Sequence, residues 1–187
     1  TLLAIILGIV GSKAMHLIEN WSEFVDAPVK LAFSPGGLTF HGGLILSIIG
    51  IALYVRRKKI PFLVVADATS PGLLLAYGIG RIGCHLAGDG DYGFPTTLPW
   101  GTDYSHGTYP PSAAFRDFPE ITSQYPGGIV PNNVLCHPAP IYETLLCLIG
   151  FWILWKFRTK LRPDGKLFSL YLMIAGVERL GIEFLRI

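Results

Sequence analysis

Five continuous apolar segments, each close to the roughly 20 helical residues needed to cross a bilayer, constrain this 187-residue chain most strongly. They lie at 1–18, 38–55, 62–87, 139–157 and 167–185. Because their apolar residues do not alternate with polar ones, and each run is longer than a typical strand, they predict helices. Charged residues make up 15% of the chain, against about a quarter in soluble domains. The sequence therefore predicts an all-α polytopic membrane protein with a single membrane domain over 1–187.

Three of these segments have features that modify the simple prediction. The third contains Pro71, where we expect a kink because proline removes a helical hydrogen bond. The fifth contains Glu178, Arg179 and Glu183, which lower its hydropathy, although its other positions are almost all apolar. The first opens at Thr1 inside an apolar run, without an initiator Met. We therefore expect an amino-terminal span to precede it in the natural protein.

The charges of the loops predict the orientation of the spans. Basic residues cluster after the second segment and around the turn between the fourth and fifth, namely Arg56, Arg57, Lys58, Lys59, Lys156, Arg158, Lys160, Arg162 and Lys166. By the positive-inside rule, both clusters belong on the cytoplasmic side. Loops 19–37 and 88–138 carry a net negative charge and belong outside, and the second is long enough to indicate a function. The net charge of +2 does not indicate nucleic-acid binding.

Ionisable residues inside the predicted spans converge on one depth. A rise of about 1.5 Å per helical residue places Arg81, Arg179 and Glu183 in the outer half of the membrane, with His41 near the outer surface. Charged side chains within spans are costly and mark functional sites by default, so the pattern predicts a polar cavity open to the outside. Structural alternatives remain open: Arg81 can extend to the interface, Arg179 and Glu183 can form an internal ion pair, and His41 can be an interfacial histidine.

The chemistry that this cavity suits is anionic. Two arginines can bind a phosphate, because guanidinium contacts its oxygens in bidentate geometry and stays charged, and the abundant phosphate at this depth belongs to phospholipid headgroups. His41 can act as a base near neutral pH, and Asp89 and Glu183 can orient the arginines or His41. Gly42 and Gly43, which follow His41, leave room for another backbone or for a ligand.

Two Cys-His pairs, Cys84-His85 and Cys136-His137, lie at the ends of predicted spans. Three interpretations remain open: a Cys₂His₂ metal site, a disulfide between the two pairs, and independent thiols, which are the default. The odd number of cysteines excludes a fully paired disulfide framework. Cys147, within an apolar helix, is expected to be an inert filling residue. We expect no metal and no cofactor.

Glycine spacing and one acid near a helix start have structural interpretations. Gly78, Gly80 and Gly83 have the spacing of a dinucleotide-binding fingerprint, but they lie at the end of an apolar helix. Close helix packing explains them better. Asp67 stands near the start of the third segment, where we expect it to stabilise the positive end of the helix dipole.

Aromatic residues near the loop edges have two interpretations. Tyr142 is a candidate hydrogen-bonding contact to a lipid headgroup, or else an interfacial anchor. Trp21, Trp100 and Tyr104 are expected to belong to the aromatic belt at the membrane surface.

Three blocks of this sequence resemble the prolipoprotein diacylglyceryl transferase family. They are Gly36 to Leu44 with His41-Gly42-Gly43; Gly80-Arg81-Ile82-Gly83 running on to Asp89 and Gly93; and His137-Pro138 with Ile141-Tyr142-Glu143, followed by Arg162-Pro163, Glu178-Arg179 and Glu183-Phe184-Leu185-Arg186. The blocks cover residues 36–187 in the order of the family. Their combination is more specific than any one block.

The resemblance implies the fold of that family and its activity, transfer of diacylglyceryl from phosphatidylglycerol to the cysteine thiol of a lipoprotein precursor. It implies that His41 deprotonates or assists the thiol, that Arg81 and Arg179 hold the phosphoglycerol headgroup, and that Glu183 supports Arg179. It also assigns substrate binding to neighbouring residues, namely Gly42, Gly43, Gly80, Gly83, Asp89 and Tyr142. The implied location is the bacterial inner membrane, with the site facing outward.

The second block differs from the signature of the family. Cys84 and Ala87 stand where the family has asparagines, and Asp89 stands at its glutamate unless Asp91 takes that place. Two functions therefore remain open. The sequence favours the transferase, and the alternative is a catalytically silent homologue that binds phospholipid as a subunit of a larger membrane complex.

Overall fold

Helices occupy all five predicted segments in the computed structural model, which describes residues 2–34 and 37–186. In chain order the α-helices are α1 (Leu2–Glu19), α2 (Trp21–Asp26), α3 (Pro28–Ala32), α4 (Phe40–Arg57), α5 (Phe62–Ala87), α6 (Pro111–Ala114), α7 (Pro119–Thr122), α8 (Ala139–Phe157) and α9 (Lys166–Glu183). Two short strands, β1 (Thr102–Asp103) and β2 (Leu135–Cys136), lie between α5 and α8. The prediction of an all-α polytopic membrane protein is confirmed.

Four helices of the described chain, α1, α4, α5 and α8, are long and apolar enough to cross a membrane. Helix α9 has the length, 18 residues, but its charged residues keep it out of that group. Helix α5 stays helical through Pro71. The chain divides into two compact units, Thr1–Val65 and Ala66–Ile187.

Within the first unit, α1 and α4 pack backbone to backbone at their glycines. A Cβ at Gly42 would collide with the carbonyl oxygen of Gly11, and a Cβ at Gly43 would stand 2.7 Å from the carbonyl oxygen of Gly8. Side chains at either position would force the helices apart, so glycine is required by the close approach.

Polar side chains of α1 bind the segment that leads into α4. The Lys13 ammonium donates to the carbonyl oxygen of Ser34 at 3.0 Å and to its hydroxyl at 2.9 Å. The Thr39 hydroxyl donates to Glu19 Oε2 at 2.7 Å. Lys13 and Glu19 therefore have partners within their own unit.

Within the second unit, α5, α8 and α9 meet at small residues. A Cβ at Gly150 would stand 2.6 Å from Leu74 Cδ2 and 2.8 Å from Ile174 Cγ2, so three helices converge there. One turn along α5, a Cβ at Gly78 would stand 2.9 Å from the Cβ of Cys147. Cys147 is fully buried in this apolar layer, as predicted.

Asp67 joins α5 to the start of α9. Its Oδ2 accepts the N–H of Gly165 at 2.7 Å, and its Oδ1 accepts the N–H of Phe168 at 2.8 Å. An acid at this position satisfies amides that a helix N-terminus leaves unpaired. The predicted structural role is confirmed, but the helix terminus it stabilises is that of α9 and not that of α5.

The 88–138 loop folds around a core of its own. Strands β1 and β2 pair antiparallel, with Thr102 opposite Cys136. The buried residues of this core, called here the loop core, are Tyr92, Tyr104, Phe115, Ile121, Val130 and Cys136. The rings of Tyr92 and Tyr104 stack with their centroids 4.3 Å apart. The loop is therefore an ordered part of the second unit.

Burial in the loop core changes one expectation about the membrane belt. Tyr104 is only 4% exposed, so its predicted place in the belt is wrong, because its ring contributes to protein packing. Burial also raises the pKa of Tyr104 to about 12 and that of the Cys136 thiol to about 12. Both groups are neutral at physiological pH, which suits an apolar core.

Candidate functional site

Arg81 lies at the centre of a buried group of charges in the second unit. It stands near the end of α5 and is 8% exposed. Its Nη2 donates to Glu143 Oε1 at 3.2 Å and its Nε contacts Glu143 Oε2, while its Nη1 pairs with Asp91 Oδ2. The hydroxyl of Tyr77, one turn earlier, accepts from Nε at 3.2 Å. The guanidinium is therefore buried among protein groups, and carboxylates on two other segments neutralise it.

Glu143 is the acid that holds this group together, although it is not among the site residues predicted from the sequence. The side chain is 1% exposed, in the second turn of α8, and its Oε1 also lies 3.8 Å from Arg179 Nη1. It thus faces arginines from α5 and α9. The sequence could have indicated Glu143, because an acid in an apolar helix marks a functional position by default. The neighbouring Tyr142 was predicted as the binding residue instead.

Arg179 and Glu183, both predicted for the site, lie at the edge of this group on α9. The Arg179 side chain is 49% exposed and the Glu183 side chain 67%. Their closest atoms are 3.9 Å apart, so they form the predicted pair one helical turn apart, but a loose one. The Arg179 guanidinium thus retains N–H donors for an incoming anion.

Asp91, and not Asp89, is the acid that contacts Arg81. Its Oδ1 lies 2.8 Å from Arg186 Nη2, and its Oδ2 contacts Arg81. Asp89 is exposed and accepts the backbone N–H of Asp91 at 3.3 Å. The acid that touches arginine is therefore Asp91, the alternative raised by the altered signature.

Backbone pairing at the start of the loop explains how Asp91 reaches two distant arginines. The N–H of Gly93 donates to His137 O at 2.9 Å, and the N–H of Phe94 donates to Leu185 O at 3.2 Å. These bonds place the residues after α5 beside both the entrance to α8 and the end of α9. Residues from three parts of the sequence are thus brought together.

The glycines predicted near Arg81 have different surroundings. Gly78 packs closely against Cys147 of α8, as expected. At Gly80 and Gly83, no neighbouring atom of the described residues lies within 4 Å of the place where a Cβ would stand. The packing explanation is therefore wrong for these two, which leave an open, smooth surface on α5.

His41, Gly42 and Gly43 lie in the first unit, at the start of α4. His41 is exposed, and its ring meets the edge of Phe40 with centroids 5.8 Å apart. The backbone of α1 fills the room beside Gly42 and Gly43, which favours the first of the two alternatives for these glycines. The catalytic role of His41 stays a prediction.

Tyr142 anchors the loop to the start of α8. Its hydroxyl accepts from Trp100 Nε1 at 2.8 Å and lies 3.3 Å from His137 Nδ1. The Trp100 side chain is 58% exposed. A contact between Tyr142 and a headgroup stays a prediction.

The cysteines do not assemble the Cys₂His₂ site considered for the two pairs. All three thiols are free, and Cys136 is buried in the loop core. His85 Nδ1 lies 2.8 Å from the Tyr104 hydroxyl. Independent thiols, the default, stay the interpretation for these cysteines.

A different set of ligand atoms is compact enough to hold a cation. Those of Cys84, Asp89 and Asp91 lie within 4.8 Å of one another. Asp91 already pairs with two guanidiniums, whose positive charge opposes a metal ion there. We draw no metal site from this group.

Glu178 adds a further acid to the buried face of α9. It is 7% exposed, and among the described residues no group donates a hydrogen bond to its Oε1. It interacts electrostatically with Glu143, Arg81 and Arg179. A buried carboxylate oxygen without a hydrogen-bond donor is costly, so Glu178 is a polar group that the packing of α9 does not satisfy.

Residues 1–187 match the family described as prolipoprotein diacylglyceryl transferase. Relatives named phosphatidylglycerol–prolipoprotein diacylglyceryl transferase include those of Clostridium tetani, at 34% identity over 99% of this chain and 66% of the relative, and of Bifidobacterium adolescentis, at 33% over 100% and 55%. That of Bordetella avium is 31% identical over 100% of this chain and 61% of its own length. The chain thus spans about three fifths of the length of these curated relatives.

Proposed function

Because the chain belongs to the prolipoprotein diacylglyceryl transferase family, we propose that it transfers diacylglyceryl from phosphatidylglycerol to the cysteine thiol of a lipoprotein precursor. The observation that carries this proposal is the half-exposed Arg179 guanidinium beside the buried Arg81–Glu143 pair. A guanidinium with partners no closer than 3.8 Å keeps donors for a phosphate, which it binds in bidentate geometry.

In the proposed reaction His41 accepts the proton of the precursor thiol. The thiolate then attacks the terminal glycerol carbon of the diacylglyceryl group, forming a thioether, and the bond from that carbon to the phosphate oxygen breaks. Glycerol phosphate leaves with the bonding electrons, and its added negative charge is stabilised by arginine. Arg81 and Arg179 hold the headgroup, and Glu183 orients Arg179. No cofactor enters these steps.

The other predicted binding residues are given limited roles. The open surface of α5 at Gly80 and Gly83 allows a lipid chain or headgroup to approach close to the backbone next to Arg81. Asp89 and Tyr142 contribute polar contacts at the mouth of the site, and Gly42 and Gly43 set the backbone next to His41.

The proposed location is the bacterial inner membrane, with the site facing outward. The basic clusters at 56–59 and 156–166 support this orientation by the positive-inside rule. The phospholipid and the lipoprotein precursor would then meet at the outer leaflet. The proposed reaction involves no nucleic acid, and a larger membrane complex belongs to the silent-homologue alternative.

A transfer assay tests the proposal directly. Full-length protein in phosphatidylglycerol micelles is given a precursor peptide with one acceptor cysteine, and mass spectrometry follows addition of diacylglyceryl. We expect transfer by the natural protein and its loss in His41→Ala, while His106→Ala, an exposed histidine of the loop, serves as the matched control.

Two outcomes would reject the proposal. One is the absence of transfer by folded full-length protein while an established transferase is active in parallel, which would favour the silent phospholipid-binding subunit. The other is undiminished transfer by Arg179→Ala, relative to the exposed control Arg162→Ala.

A further inference from the structure

The carboxylate of Asp91 lies between two guanidiniums in a position that resembles a bound phosphate. One oxygen contacts Arg81 Nη1, and the other lies 2.8 Å from Arg186 Nη2. A phosphate ester offers the same pattern, two charged oxygens on one central atom, to two separate donors. We propose that Arg81 and Arg186 form an anion-binding fork for a phosphate ester and that Asp91 occupies the fork until the ligand displaces it.

The remaining contacts of Arg81 explain why this part of the guanidinium is the one available. Its Nε and Nη2 face Glu143 and Tyr77, which lie within the helical bundle. Its Nη1 faces Asp91, whose side chain is 28% exposed. On this side the partner of Arg81 is a partly exposed carboxylate, so a soluble anion can approach the guanidinium there.

Arg186 suits the second half of the fork. Its side chain is 21% exposed, and the ion pair with Asp91 is its one pair among the described residues. Its backbone is held next to Gly93 by a β-bridge. The backbone that carries the guanidinium is therefore held without help from the Asp91 side chain.

Displacement of Asp91 requires only a rotation of its side chain. Gly90 is held against the ring of Tyr109, where a Cβ would stand 2.9 Å from Cδ1, and Gly93 is bonded to His137. The backbone on both sides of Asp91 is thus fixed. The carboxylate is partly exposed, so it can turn into solvent without leaving a buried charge unpaired.

The charge balance favours exchange of one anion for another. With Asp91 turned away, Arg81 keeps Glu143 as a partner, and Arg186 has no other ion pair among the described residues. A phosphate ester restores a negative charge between them. Asp91 therefore lowers the affinity by competition, and at the same time keeps the Arg186 guanidinium paired in the empty site.

This inference deepens the proposed function and rests on it for the identity of the natural ligand, the headgroup phosphate of phosphatidylglycerol. The shared chemistry is a phosphate ester anion, so a water-soluble ester and a lipid are separate arms of the test. The first arm measures binding of glycerol phosphate to the full-length protein in neutral detergent. The second measures binding of phosphatidylglycerol in nanodiscs of phosphatidylcholine.

Two variants show whether the Asp91 carboxylate competes with the phosphate ester or supports its binding. Asp91→Asn removes the competing charge but keeps the size of the side chain, and we expect about threefold tighter binding or more. Arg186→Gln removes one arm of the fork, and we expect about tenfold weaker binding. Asp117→Asn and Arg162→Gln, exposed residues of matched type, should leave the affinity unchanged.

Weaker binding in Asp91→Asn, or unchanged binding in Arg186→Gln, would overturn the inference. Arg186→Gln leaves Asp91 in place, so it decides the question even if Asp91→Asn does not fold. The binding measurements use no precursor peptide, so they are independent of the transfer assay. If the variants bind as expected but the protein transfers no diacylglyceryl, the proposed function is rejected and the fork is kept. If the protein transfers diacylglyceryl but Arg186→Gln binds glycerol phosphate with unchanged affinity, the fork is rejected and the proposed function is kept.

Discussion

The charged group around Arg81 and the loop core both bury polar atoms, but they stabilise them in different ways. Arg81, Glu143 and Asp91 are neutralised by one another, across two helices and a loop. In the loop core, Tyr92 and Tyr104 are neutral rings stabilised by stacking and by single hydrogen bonds. The first region depends on the carboxylate partners of its buried arginine, whereas the second depends on packing. Substitutions should therefore affect the two regions differently.

The largest effect is expected from Glu143→Ala. It leaves the buried Arg81 with one carboxylate in place of two, and breaking a buried ion pair costs about 3–5 kcal/mol. We expect a corresponding fall in the unfolding midpoint in detergent.

The matched control for Glu143→Ala is Glu183→Ala, whose side chain is 67% exposed and whose loss should cost little. Equal losses in the two variants would contradict the view that burial of the pair makes Glu143 necessary.

Phe115→Ala tests the packing of the loop core. Phe115 is fully buried, with its ring centroid 6.3 Å from that of Tyr92. Removing a buried ring leaves a cavity and costs about 3 kcal/mol. We expect faster proteolysis within 88–138, while the helices keep their circular dichroism. Phe33→Ala, at a side chain that is 85% exposed, is the control. Loss of the helical signal in Phe115→Ala would mean that the helices depend on the loop core.

The long apolar runs of the sequence made both the helices and part of the charged group around Arg81 predictable. Long apolar runs determine the helix positions, and a charge within such a run stands out, which identified Arg81, Arg179 and Glu183. Asp91 was less visible, because it follows α5 in a loop where acids are common. Its partner Arg186 is distant in sequence, and only the pairing of Gly93 and Phe94 with other segments brings them together.

The loop core was harder to predict because aromatic residues at a loop edge suit either a membrane surface or a small core. Tyr104 has the composition of a belt residue, and its burial depends on ring partners at Tyr92 and Phe115. Gly80 and Gly83 illustrate the same limit on a helix. The spacing indicated close packing, but whether a neighbour occupies that face depends on how helices assemble.

Alkaline pH should lower the stability of the loop core. Burial raises the pKa of Tyr104 from 10.0 to about 12 and that of Cys136 from 9.0 to about 12. Both groups ionise more readily when unfolded, so their stabilising contribution is complete below pH 9 and is lost progressively towards pH 12. We expect the part of the tyrosinate absorbance that Tyr104→Phe removes to appear above pH 10, together with loss of the near-ultraviolet circular dichroism of the loop. If Tyr104→Phe removes tyrosinate absorbance that forms near pH 10 while that signal is intact, the burial of Tyr104 is contradicted.

The smallest effect, and the sharpest comparison, comes from removing one tyrosine hydroxyl in each region. The Tyr92 hydroxyl donates to the carbonyl oxygen of Tyr109 at 2.7 Å, and the residue is 1% exposed. Tyr92→Phe therefore leaves an acceptor without its buried donor and should cost about 1 kcal/mol. Tyr77→Phe removes an acceptor from Arg81, but the guanidinium keeps its carboxylates and Tyr77 is 39% exposed.

The loss in Tyr77→Phe should therefore be less than about half of that in Tyr92→Phe, measured as the shift in unfolding midpoint for each variant. A larger loss in Tyr77→Phe would show that the Arg81 group needs each of its partners individually. The expected order would show instead that several carboxylate contacts make one hydroxyl dispensable, whereas a small aromatic core has no second donor to replace the one it loses.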